Sequence, residues 1–386
     1  MEIKNLQRHI RTLAMLEETK FPVLSCYLNL EKGEAGYRET LDERWRLLRQ
    51  SLTGKAVRDL EDVFARIEAF LKTELRPRAK GAAIFGRGGA QPFFLPLQFQ
   101  VPLPNWIVAD STPNIYHLVE LKDTYHRYVV VIATDERACI LEVNLGSVTE
   151  QIWKERPELR KRVGREWTKE HYQNHRRERT DQFFKEVIKI LDQLMSASGY
   201  THLILAGNPR ITSRIRNALP KHLVTKLIGL LVNPGNEKLS DIVASTLSSF
   251  IQQEEKESQA MVDRLQQRII THGLAVAGTE ASLNALMWGQ ADMLLLAMGY
   301  DPDPGWLCLT CGIINVSCEQ PNVCSKCGNK GMRGISIKEE MVRMAERTGC
   351  QVEVVGDSDI LMRFGGVGCL LRYPKPEQNS KDRIDQ

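Results

Sequence analysis

The first third of the chain alternates short apolar runs with segments of helical periodicity. "FPVLSCYLNL" (21–30) is a compact apolar run and predicts a buried strand. Further on, six apolar residues recur at helical spacing and predict a helix with one buried face: Leu60, Val63, Phe64, Ile67, Phe70 and Leu71. Two apolar runs around "GRGGAQ" then predict a β-hairpin. Four prolines indicate that its second strand lies at a sheet edge, because proline cannot donate to a ladder: Pro92, Pro96, Pro102 and Pro104. We predict an N-terminal α/β domain over residues 1–122.

The middle third has strands that alternate with helices. "RYVVVIATDERACILEV" reads as two strands joined by a polar turn, and a basic segment follows it. The remaining pattern is a helix "RTDQFFKEVIKILDQLM", a strand "THLILAG", a helix over about 210–219, a strand "KLIGLLV" and a helix over about 239–272. Such alternation predicts a parallel or mixed sheet covered by helices. We assign residues 123–272 to a central domain.

The last third repeats this mixture around a cysteine cluster. A helix capped near Thr279 and an apolar strand precede the cluster. A helix, a strand, a short helix, a Gly-rich turn and a final strand follow it. We predict a C-terminal α/β domain over residues 273–375 with a zinc ribbon at 306–330, and a disordered polar tail at 376–386. The fold class is therefore α/β, with three domains that each hold a mixed sheet covered by helices.

Composition narrows the class of protein. The formal net charge of +4 is too small to imply nucleic-acid binding by itself, so the distribution of charge has to carry that argument. No apolar run reaches the roughly 18 residues that span a bilayer, and the first residues lack a signal-peptide core. We expect a cytoplasmic protein that contacts neither membrane nor DNA. Nine cysteines without an export signal make disulfides unexpected.

Five of the nine cysteines lie between residues 308 and 327, in a spacing typical of a metal site. Cys308 and Cys311 form one Cys-x2-Cys pair, and Cys324 and Cys327 form the second after twelve residues. Four thiolates satisfy tetrahedral Zn²⁺ and leave no position for water, so the predicted zinc is structural. Four unrelated buried cysteines and a rubredoxin-like iron site are the alternatives. Cys318, between the pairs, is a possible substitute ligand.

A basic segment runs from Lys154 to Thr180. Between Lys154 and Arg179 it holds ten Lys or Arg against five Glu, with aromatic residues interleaved. Cations neutralise phosphates and aromatic rings stack on unpaired bases, so we predict RNA contact. The predicted RNA-binding residues are Arg160, Lys161, Arg162, Arg165, Trp167, Lys169, Tyr172, Arg176, Arg177 and Arg179. A solvated helix face is the alternative, because exposed helices often mix Lys, Arg and Glu.

Three pieces of the C-terminal third resemble the archaeo-eukaryotic peptide-chain release factor superfamily, which includes Pelota. They are "GTEASLNALMWGQADMLLL", the four-cysteine ribbon, and "MVRMAERTGCQVEVV" followed by "RFGGVGCLLRY". The middle third is similar to the family's second domain, and the N-terminal third looks like the bacterial branch. The resemblance implies a three-domain, tRNA-like protein that enters the ribosomal A site. It also implies that the third domain meets a translational GTPase such as elongation factor Tu.

The family's release factors carry Gly-Gly-Gln just before the long helix of the second domain, and the glutamine helps to place the hydrolytic water. At the matching place this chain has "RVGREWTKEHYQNH", in which Arg165 and Glu166 follow Gly164. The "GGAQ" that begins at Gly88 lies in the first domain with the wrong spacing, so we predict that Arg87, Gly88 and Gly89 form a plain turn. No catalytic residue is assigned.

These observations favour a Pelota-like protein of the bacterial branch that looks like Balon-type factors. We expect a ribosome-binding translation factor that occupies the A site of idle or stalled ribosomes, in hibernation or rescue, without peptidyl-tRNA hydrolysis. Two alternatives stay open. One is a peptidyl-tRNA hydrolase with a divergent loop, for which Gln173 is the nearest glutamine. The other is a zinc-stabilised interaction module that acts off the ribosome.

Overall fold

The structure, a computed structural model, describes residues 3–51, 54–89, 91–156, 169–197, 200–232 and 239–374. These residues form mixed sheets with helices packed on them, which confirms the predicted α/β class. The chain divides into two compact units. The first unit comprises Met1–Asn5, Phe99–Val101 and Thr124–Glu254, and the second comprises Leu6–Gln98, Pro102–Asp123 and Glu255–Gln386. The three-domain division with its boundaries stays a prediction, and the predicted disordered tail lies outside the described residues.

The N-terminal segment supplies one four-stranded sheet and its helices. Its elements are α1 (Ile3–Ala14), β1 (Val23–Asn29), α2 (Glu34–Ser51), α3 (Lys55–Thr73), β2 (Gly81–Arg87), β3 (Phe93–Phe99), β4 (Trp106–Asp110) and α4 (Tyr116–Thr124). The strand order is β3-β2-β1-β4, and β1 is antiparallel to both neighbours. The six apolar residues that predicted a helix are all buried on α3. The proline-containing strand β3 lies at the sheet edge, as its prolines predicted.

The middle segment forms a five-stranded mixed sheet. Its elements are β5 (Tyr128–Ala133), β6 (Arg137–Asn144), β7 (Ser147–Glu155), α5 (Lys169–Ala197), β8 (His202–Gly207), α6 (Pro209–Ala218), α7 (Lys221–Val224), β9 (Leu227–Val232) and α8 (Leu239–Ile270). The order is β7-β6-β5-β8-β9, with β5, β8 and β9 parallel and the β5-β6-β7 meander antiparallel. The first residues of the basic segment belong to a strand that the sequence did not predict. Lys154 and Glu155 lie in β7 and pair with Ala138 and Arg137 of β6.

The two faces of this sheet are covered by different helices. Apolar residues of α5, α6 and α7, such as Phe183, Val187 and Ile215, form one buried cluster with Val129 and Val131 of β5. Residues of the N-terminal half of α8 cover the opposite face, where the ring of Phe250 stacks on that of Tyr128 at 4.6 Å between centroids. Alternate residues of β5 therefore face opposite helical layers, as strand geometry requires.

The C-terminal segment forms two further sheets. Its elements are β10 (Ala275–Ala277), α9 (Thr279–Met287), β11 (Ala291–Ala297), β12 (Gly305–Cys308), β13 (Ile314–Val316), β14 (Met332–Ile335), α10 (Ile337–Thr348), β15 (Gln351–Val355), α11 (Asp359–Arg363) and β16 (Val367–Leu371). The larger sheet has the order β10-β16-β11-β15, in which β11 and β15 are parallel. Helix α9 begins at Thr279 but has no side-chain cap, because Gly278 occupies the N-cap and the Thr279 hydroxyl accepts a hydrogen bond from Tyr300 at 3.0 Å.

Polar contacts join the N-terminal and C-terminal segments within the second unit. The carboxylate of Glu339 on α10 accepts the backbone N–H groups of Ile115 and Tyr116 at 2.8 and 3.1 Å, at the start of α4. At the other end of α4, the Asp123 carboxylate accepts the N–H of Val354 at 2.6 Å. Both ends of α4 are thus held by residues more than 200 positions away in sequence. Within the described ranges, no helix is both long and apolar enough to cross a membrane.

Candidate functional site

The four cysteines of the two Cys-x2-Cys pairs come together in space. The sulfur atoms of Cys308, Cys311, Cys324 and Cys327 all lie within 4.8 Å of one another. The Cys308 and Cys327 sulfurs are 3.6 Å apart, and those of Cys311 and Cys324 are 3.5 Å apart. A tetrahedral zinc with bonds of about 2.3 Å needs sulfur separations of about 3.8 Å, close to these distances. The cluster could therefore hold a metal ion such as zinc.

Backbone geometry closes the turn of each cysteine pair, and backbone N–H groups lower the pKa of Cys308 and Cys324. Gly312 and Gly328 have φ values of 70° and 69°, and their N–H groups donate to the carbonyls of Cys308 and Cys324 at 2.9 Å each. A left-handed residue here closes each turn, and glycine adopts it without steric cost. Hydrogen bonds from the backbone N–H groups of Cys311 and Thr310 lower the pKa of Cys308 to about 6. Stabilised thiolates are the form that binds a metal.

The ribbon sheet positions the cluster. Strand β12 ends at Cys308 and pairs with β13 and β14 on either side. Cys308, Cys324 and Met332 are buried together, and the side chain of Trp306 packs on them. The indole N–H of Trp306 donates to the Ser317 carbonyl at 3.0 Å, which ties the loop between the cysteine pairs back to the sheet.

Cys318 does not join the four sulfurs. Its side chain is exposed, and its thiol donates to Asp303 Oδ1 at 3.1 Å. That bond and the charge of Asp303 raise the pKa of Cys318, which makes it a poorer thiolate than Cys308. The geometry gives it no role as a fourth ligand.

The predicted RNA-binding residues are only partly within the described structure. Arg160, Lys161, Arg162, Arg165 and Trp167 lie outside the described residues. The other five lie on α5: Lys169, Tyr172, Arg176, Arg177 and Arg179. Of these, the structure describes the side chains of Arg177 and Arg179. Arg177 is exposed and Arg179 is half-buried. RNA contact by these residues stays a prediction.

Of the residues Arg87, Gly88 and Gly89, for which a turn was predicted, Gly89 lies in a turn, whereas Arg87 is the last residue of strand β2. Gly89 has a φ of 77°, and a Cβ placed there would lie 2.6 Å from the Phe21 ring. Arg87 is buried, and its guanidinium donates to the carbonyls of Gln91 and Glu17 at 3.1 Å each. This arginine secures the hairpin and does not face a ligand.

Comparison with known proteins identifies the family. Residues 113–250 match the family model of bacterial archaeo-eukaryotic release factor family 10. Peptide chain release factor subunit 1 of Thermococcus kodakarensis is 25% identical over 230 residues, which cover 52% of this chain and 55% of that protein. These sequence matches support the resemblance of the chain to the archaeo-eukaryotic release factor superfamily. The same subunit of Thermococcus onnurineus is 28% identical over 155 residues, 36% of each chain.

Solved structures of the superfamily are also similar to this chain. Dom34 of S. cerevisiae matches with a TM-score of 0.41 and 13% identity, over 77% of this chain and 81% of that one. Pelota of Archaeoglobus fulgidus matches with a TM-score of 0.37 and 13% identity, over 96% and 92%. Both TM-scores are below 0.5, so the resemblance to the superfamily rests on the sequence matches. The chain spans about half the length of the curated relatives that it matches.

This member of the superfamily contains no Gly-Gly-Gln anywhere in its sequence. Gln173, the nearest glutamine to the expected position, lies inside helix α5. In a Gly-Gly-Gln loop, free backbone N–H groups stand beside the glutamine side chain. Inside a helix the N–H groups are bonded to carbonyls of the preceding turn, so they are not free to bind another group.

Proposed function

We propose that this protein is a translation factor that binds the ribosome and occupies the A site of idle or stalled ribosomes, in hibernation or rescue, without hydrolysing peptidyl-tRNA. The observation that carries the proposal is membership of the release factor superfamily in a chain that has no Gly-Gly-Gln. The family shape accounts for A-site binding. The missing motif accounts for binding without cleavage.

The chemistry at the expected catalytic position supports this assignment. Two consecutive glycines let a backbone approach RNA closely, because they carry no side chain and tolerate unusual φ values. Here Arg165 and Glu166 follow Gly164. The Arg165 guanidinium suits contact with a phosphate and the Glu166 carboxylate suits contact with solvent. Neither side chain replaces the glycine backbone that such a loop needs beside an ester.

We assign the basic segment to ribosomal RNA. In the proposal, eight of its ten Lys and Arg residues hold phosphates, and Trp167 or Tyr172 stacks on a base. The proposed phosphate-binding residues are Arg160, Lys161, Arg162, Arg165, Lys169, Arg176, Arg177 and Arg179.

We assign the four-cysteine cluster to structural zinc. Four thiolates around one Zn²⁺ leave no open coordination position, so such a zinc would stabilise the ribbon and would not activate water. The C-terminal part would contact a translational GTPase such as elongation factor Tu, with the ribbon rigid at its tip. The factor would act in the cytoplasm, where ribosomes are.

The proposal is tested by sedimentation with empty 70S ribosomes over a series of salt concentrations. We expect the protein to pellet at 0.1 M salt and to be released at 0.5 M, because phosphate contacts weaken as salt rises. Replacing Arg160, Arg162 and Arg165 by alanine should weaken pelleting. A control with the same charge change replaces three exposed arginines of the N-terminal segment by alanine: Arg44, Arg46 and Arg58. Equal pelleting by both variants, or binding that ignores salt, would contradict the RNA assignment.

The names of the curated relatives favour a second candidate function. They are peptide chain release factors, and this chain shares 25% identity with one of them. A hydrolase with a divergent loop would release peptide from ribosomes that carry P-site peptidyl-tRNA. Gln173→Ala tests its most obvious residue: loss of a measured release activity in this variant would establish the hydrolase and exclude our first proposal.

A further inference from the structure

Helices α5, α6 and α7 form one layer on the sheet of the first unit, and ion pairs hold this layer together. Arg214 of α6 contacts Asp181 of α5 at 2.6 Å. His222 of α7 contacts Asp192 of α5 at 2.7 Å. Asp181 comes before Asp192 on α5, and their partners Arg214 and His222 follow in the same order along the chain. The α6–α7 segment therefore runs in the same direction as α5. The basic end of α5 therefore lies beside the start of α6.

This layer carries an excess of positive charge. From residue 177 to residue 232 the sequence has nine Lys or Arg against four acidic residues. Three of the four acids already have partners. Asp181 and Glu186 form ion pairs with Arg214 and Lys154, and Asp192 is hydrogen-bonded to His222. In the part of the layer that the structure describes, six exposed cations have no acidic partner: Arg177, Lys185, Lys189, Arg210, Arg216 and Lys221.

Three of these cations stand in one row along α5. Arg177, Lys185 and Lys189 are separated by multiples of four residues, so they lie on one side of the helix. Asp181 occupies the remaining position of the row, and its ion pair with Arg214 places the row next to α6. On α6, Arg210 precedes Arg214 by four residues and lies one turn nearer the helix start. Arg210 thus lies on the side of α6 that faces the row on α5, whereas Arg216 is exposed farther round α6.

The charge excess is confined to one face of the sheet. The α8 residues that cover the opposite face, 239–254, contain Asp241 and Glu254 and no Lys or Arg. The basic layer also exposes no aromatic ring among its described residues, because Phe183, Phe184 and Tyr200 are buried. Protein interfaces are rich in exposed aromatics and poor in lysine, whereas nucleic-acid backbones are bound through Lys and Arg. The composition fits RNA phosphates and does not fit a protein partner.

We infer that the outer face of the α5–α7 layer is a second contact surface for the phosphate backbone of ribosomal RNA. It is formed by Lys185, Lys189, Arg210, Arg216 and Lys221, which lie beyond the basic segment, and Arg177 is common to both. The inference rests on the proposed ribosome binding and extends it to residues that the sequence pattern did not single out. Arg210, Arg216 and Lys221 test this surface most directly, because they lie on α6 and α7, outside the basic segment. The contact is sequence-independent, since unpaired cations without stacking rings read the backbone and not the bases.

The test measures the affinity of the full chain for empty 70S ribosomes from 0.1 to 0.5 M salt. The variant Arg210→Gln, Arg216→Gln, Lys221→Gln removes three charges from the layer. The control Ala244→Glu, Ser245→Glu, Ser248→Glu lowers the charge equally at exposed positions of α8. Losing three phosphate contacts should weaken binding on the order of 100-fold at 0.1 M salt and reduce the slope of log K against log salt by about 2. The control should stay close to the wild type.

The outcomes separate the two proposals. If the wild type does not pellet with ribosomes, the proposed function fails and this inference fails with it. If the wild type pellets and the Gln variant matches the α8 control, only the inference is overturned. Wild-type binding to phosphatidylserine vesicles, with ribosome affinity unchanged in the Gln variant, would assign the layer to a membrane surface instead. If circular dichroism shows that the triple variant is unfolded, the double variant Lys185→Gln, Lys189→Gln tests the same face. Its expected loss of ribosome affinity is smaller, because two charges are removed instead of three.

Discussion

Glu339 of α10 is a half-buried carboxylate that makes two hydrogen bonds to the backbone at the start of α4. It accepts two backbone N–H groups at the start of α4, where the positive end of the helix dipole favours a negative charge. Burial nevertheless dominates and raises the pKa of Glu339 to about 7 from 4.5. The folded protein therefore keeps this proton over a pH range in which the unfolded chain has lost it.

We predict that this group makes the second unit less stable as the pH rises. A raised folded-state pKa favours folding at low pH, and that contribution is lost between about pH 4.5 and 7. Glu339→Gln cannot ionise and keeps an oxygen that accepts hydrogen bonds. Its stability relative to the wild type should rise by about 3 kcal/mol across this range. Denaturant unfolding at pH 5 and pH 8 measures the difference, and parallel pH profiles for the two proteins would contradict the assignment.

Gly33 and Gly89 both have positive φ values but differ in the space around a Cβ atom. Substituting each by alanine therefore distinguishes the cost of backbone strain from the cost of a steric clash. Gly89 and Gly33 have φ values of 77° and 64°, but only Gly89 has a neighbour in the way of a Cβ, the Phe21 ring at 2.6 Å. Gly33→Ala should cost about 1 kcal/mol for the left-handed backbone. Gly89→Ala should cost clearly more, about 2–3 kcal/mol, because the hairpin turn or the ring must move. Equal losses in unfolding free energy would show that the turn accommodates a side chain.

At the scale of elements, the three-stranded ribbon of β12, β13 and β14 carries the four cysteines that could hold a metal ion. Its strands are only three or four residues long, and its buried core consists of Cys308, Cys324 and Met332 with a few neighbours. So small a core contributes little hydrophobic stabilisation by itself, and metal binding commonly supplies the folding energy of such modules.

We predict that Cys308→Ser abolishes stoichiometric zinc binding and exposes the ribbon to proteolysis. Cys318→Ser is the matched control, because Cys318 lies in the same ribbon and bonds to Asp303 away from the four sulfurs. Mass-spectrometric metal analysis and limited proteolysis of the two variants make the comparison. Zinc retained by the Cys308 variant, or lost from the Cys318 variant, would disprove the ligand set.

The elements that the sequence pattern predicted are those with a strong apolar period. The buried strands β1, β5 and β8 and the amphipathic helix α3 fall where apolar runs and helical spacing indicated. Strand β7 was missed because "SVTEQIWKE" is mostly polar and lies at a sheet edge with half its residues exposed. The helix α4 was also missed. Its ends are held by Glu339 and by the contact between Asp123 and Val354, which no local pattern can reveal.

At the scale of the whole molecule, the sequence predicted the four-cysteine cluster better than the proposed RNA-binding surface. Ligand spacing within 20 residues determines which cysteines meet, so the four-cysteine cluster could be read directly. The basic surface depends instead on which cations are left without acidic partners. Ion pairs between helices decide which cations keep a partner. The pair between Asp181 and Arg214, for example, joins residues 33 positions apart in sequence. Arg210, Arg216 and Lys221 were consequently not singled out by the sequence.

The central claim is that this superfamily member binds the ribosome without cutting the ester. One mixture tests it: purified protein with 70S ribosomes that carry a labelled P-site peptidyl-tRNA, pelleted through sucrose and assayed for free peptide. We predict that the protein pellets with the ribosomes and that peptide release stays at the level of ribosomes alone. Release above that level would make it a hydrolase despite the missing Gly-Gly-Gln. Failure to pellet, with and without elongation factor Tu, would contradict the account altogether.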